Sequence, residues 1–254
     1  MTGNLAGKVA LVTGGGRGIG RAVALGLATA GARTVVMARS RDQLDTTTSA
    51  IRAAGGQAGS VAIDLGDPAS LEDAGGRAAE VFGPVDILVN NAATVAPLGP
   101  TTALHLAAWT AAFDLNVTAP AALTLAVLPA MLDRSWGRVV NVSSGIVAHP
   151  GYMIGGNAYA TTKAALEAHT LNLAAELAGT GVTVNVYRPG SVDTAMQEWI
   201  RSQDPNEIGA QLHGRFVRSH AEGGLLTPEQ SARVLLERVS GNDTGQIWDA
   251  ASAT

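Results

Sequence analysis

An alternation constrains this chain more than any other feature. Short, β-branched, almost wholly apolar runs stand at 8–14, 33–38, 59–64, 85–91, 137–144 and 182–189, with a weaker one at 245–249. Stretches of helical periodicity separate them, at 18–30, 41–54, 68–82, 103–135, 157–179 and 228–240. Strand, helix, strand in repetition implies parallel strands joined by crossovers, since each helix must return the chain to the same edge. Runs without a polar face imply a sheet covered on both sides. The expected architecture is one α/β domain over 1–254, a doubly wound parallel sheet of seven strands with helices on both faces. Residues 194–227 break the rhythm with several charges, two aromatics and four glycines, and a long excursion of this kind is expected to act as a lid over a site.

Composition excludes several classes of function. Of 254 residues, 15% are charged and 46% hydrophobic, which argues for a packed globule and against disorder. A formal net charge of −4 supplies no attraction for nucleic acid or an anionic membrane. The absence of cysteine rules out disulfides, thiolate metal sites and cysteine nucleophiles, and suits a cytoplasmic location. The first apolar run stops at glycines and is too short for a secretion signal. The uncharged segment 115–132 is as long as a membrane span, but it contains Asn116, two threonines and two prolines and is expected to be a buried amphipathic helix. The five histidines show no metal-ligand spacing, so no metal is expected, and no Gly-x-Ser-x-Gly elbow marks a hydrolase.

Between the first strand and the first helix the chain reads Thr13-Gly14-Gly15-Gly16-Arg17-Gly18-Ile19-Gly20. Gly14, Gly18 and Gly20 stand where a chain must turn tightly, admit a ligand to its backbone and pack helix against strand. A helix opening there directs unpaired N–H groups and its positive end at a pyrophosphate. Further on, Tyr159 and Lys163 lie four residues apart on one helix, so both can face one cleft. A free phenol titrates near pH 10; a neighbouring ammonium is expected to lower that value and make the phenol a usable general acid or base.

Five further pieces follow in order: "NNAA" at 90–93, Asn116, "NVSS" at 141–144, "YATTK" at 159–163 and "RPGSVDT" at 188–194. With the glycine turn they make the chain resemble the short-chain dehydrogenase/reductase family. The resemblance implies a Rossmann-type sheet in the order 3-2-1-4-5-6-7. It also implies a dinucleotide held by Gly14, Arg17, Gly18, Ile19 and Gly20, with Asp64 and Leu65 at the adenine. Lys163 would hold the nicotinamide ribose, and the turn at Pro189-Gly190, with Val192 and Thr194, the carboxamide and phosphate side. Asn91 would stand beside the cofactor, although residues 90–92 read chiefly as fixing the central strand. Ser144 is the expected second donor to the carbonyl oxygen, with Ser143 as the alternative, and Asn116 is expected to hold a relay water through its backbone carbonyl. Ala38 stands where NAD-preferring relatives carry an acid, and Arg39 follows it; with Arg17 this points to NADP(H), because a guanidinium matches a 2′-phosphate.

The expected activity is reduction of a ketone or dicarbonyl to an alcohol. Scattered C-terminal pieces resemble the branch containing sepiapterin and benzil reductases. A 3-oxoacyl thioester reductase is the second reading, and a non-catalytic NADP(H) sensor the third. The loop 145–158 is longer than the family usually has, and its His149 and Tyr152 either line the substrate pocket or belong to an exposed loop. The helices at 103–135 and 157–179 are expected to pair with copies of themselves in a dimer or tetramer.

Overall fold

The computed structural model describes residues 4–252. Seven parallel strands form one sheet in the order β3-β2-β1-β4-β5-β6-β7. They are β1 (Val9–Thr13), β2 (Arg33–Ala38), β3 (Ala58–Ala62), β4 (Ile87–Asn90), β5 (Gly137–Val142), β6 (Val182–Arg188) and β7 (Ile247–Asp249). The helices between them are α1 (Gly18–Thr29), α2 (Arg41–Ala53), α3 (Pro68–Phe82), α4 (Leu106–Phe113), α5 (Ala119–Asp133), α6 (Asn157–Glu176), α7 (Ala195–Arg201), α8 (Pro205–Ile208), α9 (Ala210–Ala221) and α10 (Pro228–Arg238). The expected fold and strand order are both observed.

Strand alternation divides the core into two layers. Ala10 and Val12 of β1 join Val36, Ile87, Val89 and Val140 under α1, α2 and α10, which contribute Val23, Leu27, Leu44, Ile51 and Leu235. Val9 and Leu11 point the other way, onto Leu71, Leu123, Val127 and Met131 of α3 and α5. Because both layers are apolar, β1 is buried at every residue, which is why the strands read as continuous hydrophobic runs. The helices begin where side chains satisfy their first N–H groups. Asp67 accepts from Ala69 N ahead of Pro68, and Thr227 and Gln230 form a reciprocal capping box ahead of Pro228.

The segment expected as one helix over 103–135 divides into α4, a π-turn over Asp114–Thr118 and α5. Pro120 accounts for the break: its ring would collide with the carbonyl of residue 116 in α geometry, and it has no N–H to offer that carbonyl. Nor is the segment amphipathic, as the sequence suggested. Leu123, Val127 and Met131 are buried, yet the outward side also carries Leu106 (79% exposed) and Leu125 (71%). Leu106–Asp133 is therefore long and apolar enough to cross a membrane by composition, although α5 packs on α3, β4 and β5. The excursion at 194–227 folds as α7, α8 and α9.

Candidate active site

A cavity of about 720 Å³ opens beyond the carboxyl ends of the strands. At one end stands the turn between β1 and α1. Gly14 has φ +62°, and a Cβ there would lie 2.7 Å from Asn91 Nδ2. Asn91 Nδ2 donates to the Thr13 carbonyl at 2.9 Å, and the backbone N–H groups of Asn91 and Ala92 both reach Thr13 Oγ1. The asparagine loop thus braces the glycine turn and also lines the cavity. α1 has no acidic residue in its first turn, so nothing offsets its positive end. These features fit a pyrophosphate-bearing dinucleotide: a side-chain-free cradle, an uncompensated helix start and adjacent arginines.

Gly14, Arg17, Gly18, Ile19, Arg39, Asp64, Leu65 and Asn91 line this half of the cavity. Gly20 does not. A Cβ there would stand 2.4 Å from the Gly14 carbonyl, so this glycine serves the packing of helix on turn. Asp64 lies beyond β3, which ends at Ala62; its Oδ1 accepts from Gly66 N at 2.9 Å, and its Oδ2 is 3.7 Å from Arg39 Nη1. Both side chains are exposed, so this ion pair is weak and both remain available to a ligand.

At the other end, Ser144, Tyr159 and Lys163 face the cavity with Pro189, Gly190, Val192 and Thr194. β5 ends at Val142, and the next two serines diverge. Both border the cavity, but Ser143 is buried and its Oγ donates to Glu167 Oε1 at 2.7 Å, whereas the Ser144 hydroxyl is hydrogen-bonded with Tyr159. Lys163 Nζ donates to the Val142 carbonyl at 2.7 Å and lies 5.9 Å from the centre of the Tyr159 ring.

The expected lowering of the phenol is not what the structure gives. Burial raises the Tyr159 pKa, opposed by hydrogen bonding to Ser144. The ammonium donates to a backbone carbonyl, and its own pKa falls to about 8 because it is buried, with Glu167 opposing the fall.

Asn116 does not line the cavity. Its side chain is wholly committed: Oδ1 accepts from Thr94 N at 2.8 Å, and Nδ2 donates to the Thr94 carbonyl and to Thr162 Oγ1. It holds the loop after β4 against α6. Its carbonyl lacks the donor that an α-helix would supply from residue 120, which is the proline.

The sequence reading missed two sets of residues. One is the apolar wall beside Tyr159, which includes Val95, Ile146, Met153, Met196, Ile200 and Phe216 from four separate segments. His149 and Tyr152 stack at its mouth with ring centres 5.1 Å apart, and Arg215 of α9 donates to the Tyr152 carbonyl. The other is the buried pair Glu167–Arg188, whose only signal was that Tyr159, Lys163 and Glu167 recur at four-residue intervals on one helix.

The profile of the family described as short chain dehydrogenase matches residues 8–205. A short chain dehydrogenase of Pseudocercospora fijiensis is 42% identical over 196 residues, covering 76% of this chain and 62% of the relative, so the chain spans less than two thirds of that protein's length. A 3-oxoacyl-[acyl-carrier-protein] reductase of Synechocystis is 36% identical over 238 residues, covering 88% of this chain and 94% of the relative. Among solved structures, an actinorhodin polyketide ketoreductase crystallised with NADPH superposes with a TM-score of 0.85 at 31% identity, covering 98% of this chain and 97% of that one. The sheet order, the glycine turn and these likenesses agree: the chain belongs to the short-chain dehydrogenase/reductase family.

Proposed function

We propose that the chain is an NADPH-dependent reductase of ketones or dicarbonyls, built as a single catalytic domain with α7–α9 as its lid. The observation that carries this reading is one continuous cavity with a phosphate cradle at one end and Ser144, Tyr159 and Lys163 at the other. A nicotinamide held between them would supply the hydride for the carbonyl carbon. Tyr159, protonated across the neutral range, donates its proton to the carbonyl oxygen. Ser144 gives that oxygen a second donor while charge develops on it. Lys163, tied to Val142, presents its remaining N–H groups to the cofactor ribose and toward Tyr159. Arg39 and Arg17 hold the 2′-phosphate, with Asp64 and Leu65 at the adenine; Gly190, Val192 and Thr194 hold the nicotinamide side. The Asn116 carbonyl holds the water that returns a proton to the lysine.

The apolar wall of Val95, Met153, Ile200 and Phe216 favours a substrate with a hydrocarbon or aryl body, in line with the C-terminal likeness to sepiapterin and benzil reductases. The relative named a 3-oxoacyl reductase supports a second reading, reduction of 3-oxoacyl thioesters. Against docking of an acidic carrier protein, Arg201 is 3.7 Å from the Asp193 carboxylate, and Arg201, Arg215 and Arg218 are dispersed over α7 and α9. The apolar outward side of α4–α5 supports pairing with a copy of the chain, in a dimer or tetramer, and the composition a cytoplasmic location.

The test is loss of NADPH absorbance with aryl ketones, 1,2-diketones and 3-oxoacyl thioesters side by side. Turnover of the first two above the thioesters is expected. Preference for the thioesters would move the chain to the second reading, and NADPH binding with no turnover would remove the activity.

A further inference from the structure

Glu167 is a buried carboxylate to which the chemistry above gives no task. It lies one helical turn beyond Lys163 on α6 and is 5% exposed. Its Oε1 accepts from Ser143 Oγ at 2.7 Å and from Arg188 Nε at 2.8 Å, and its Oε2 accepts from Arg188 Nη2 at 2.7 Å. One side chain therefore joins three elements at the points where they enter the site: α6 beside Lys163, β5 beside Ser144, and β6 beside Pro189.

Stability alone is a weak reason for such a pair. Taking both charges out of water costs about what their attraction returns, and apolar residues of similar volume often pack as well. An apolar pair would, however, leave Lys163 with no negative charge near it. Lys163 is 3% exposed, and its hydrogen bond goes to a neutral carbonyl.

We propose that Glu167 is a positioning residue of the reductase site, which keeps the Lys163 amine protonated and, through Ser143, sets the backbone that aims the Ser144 hydroxyl. The inference rests on the roles given above to Lys163 and Ser144. The charges around Lys163 can be traced element by element. On α6 itself stand Tyr159 and Glu167, one turn to either side, with His169 and Glu176 further along the helix. β6 ends in Arg188, and its register partner on β7 is Asp249, whose charge also supports the guanidinium. β5 carries only Arg138, near its opposite end and bonded to the Gly137 and Gly181 carbonyls. The π-turn packed on α6 contributes Asp114, while α4 and the turn at 145–147 carry no titratable side chain. Glu167 is the one charge that acts on Lys163 to raise its pKa, and removing it would leave the unpaired Arg188 cation at the same junction. Burial already draws the Lys163 pKa down to about 8, and Glu167 is what opposes it.

The chain permits a direct test, because Lys8 and Lys163 are its only lysines. Labelling lysine at Cε yields two resonances, which Lys8→Arg assigns, and titration of the ligand-free protein reads the Lys163 midpoint. Glu167→Gln is expected to lower that midpoint by about one unit. Glu167→Asp keeps the charge and is expected to hold it within about half a unit while slackening the Ser143 contact. Arg188→Gln removes the competing cation and is expected to raise it. The alkaline limb of the rate profile should move with the midpoint in each variant. An unmoved midpoint in Glu167→Gln, or a fall in Arg188→Gln should the first variant not fold, overturns the proposal. Since the titration needs neither cofactor nor substrate, absence of turnover would count against the activity and leave the charge assignment standing.

Discussion

Lys163 Nζ is hydrogen-bonded to the carbonyl oxygen of Val142 at 2.7 Å, which pins the cation of α6 to the last residue of β5. The next two residues are Ser143 and Ser144, so one contact sets the spacing between the lysine and the serine that face the same cavity. It also spends one ammonium hydrogen on backbone. Burial dominates the acidity of Tyr159 here and raises its pKa, against the hydrogen bond to Ser144.

A buried lysine of this kind leaves a mark on stability. Its pKa is about 8 in the fold against 10.5 in the free side chain, so between those values the unfolded chain binds more protons. The group therefore destabilises the fold fully below pH 8, and the penalty, up to roughly 3 kcal/mol, disappears as pH rises toward 10.5. Urea unfolding of the wild type and Lys163→Met should show the variant gaining on the wild type near neutrality, with the gap changing in the wild type's favour as pH approaches 10. The raised Tyr159 acts in the opposite sense only above its unfolded value, so the comparison belongs below pH 10. A gap independent of pH would mean that folding leaves the lysine's pKa unshifted.

Tyr159→Phe removes the proposed proton donor and little else. Reduction should fall by about 10²- to 10⁴-fold while the dissociation constant for NADPH, read by fluorescence, stays nearly unchanged. Retention of most of the rate would mean that another group supplies the proton.

The two serines can be separated by their different neighbours. Ser144→Ala should lower kcat by about 10²-fold with little change in the unfolding midpoint, since one donor to the developing oxyanion is lost. Ser143→Ala leaves Glu167 with one partner fewer in a buried site and should cost about 1–3 kcal/mol of stability. The reverse pattern in paired rate and urea measurements would exchange their roles.

Arg39→Ala tests the nucleotide preference. A lost charge-assisted contact to phosphate is worth about 1.5–3 kcal/mol, so NADPH should bind roughly ten- to a hundredfold more weakly while NADH is unaffected. The ion pair with Asp64 is lost too, but at a 3.7 Å separation between exposed side chains it contributes little. Equal weakening of both nucleotides would place the arginine elsewhere.

What could be read in the sequence was what repeats with a local period. The strands of β1 and β2 and the helices α1 to α3 show their periods plainly, and the glycine turn announces itself because backbone geometry there tolerates no side chain. Ser143 and Ser144 were separable by strand alternation alone. Two kinds of feature were hidden. The π-turn before Pro120 depends on a clash between residues four apart, which reads as an ordinary proline near a helix start. Glu167 looked like a solvated residue of a bland helix, because its partners Ser143 and Arg188 are 24 and 21 residues away and meet it only when β5 and β6 lie side by side. The apolar wall was hidden for the same reason.

The cavity draws on Gly14, Asn91, Ser144, Gly190 and Phe216, contributed by segments that span most of the chain. No fragment holds enough of it to bind anything, and local fraying that separates one segment abolishes the rest. Any occupant therefore reports on the whole cooperative unit: at a hundred times its dissociation constant it would add about 2.7 kcal/mol against global unfolding, raising the melting temperature and slowing proteolysis from one end of the molecule to the other.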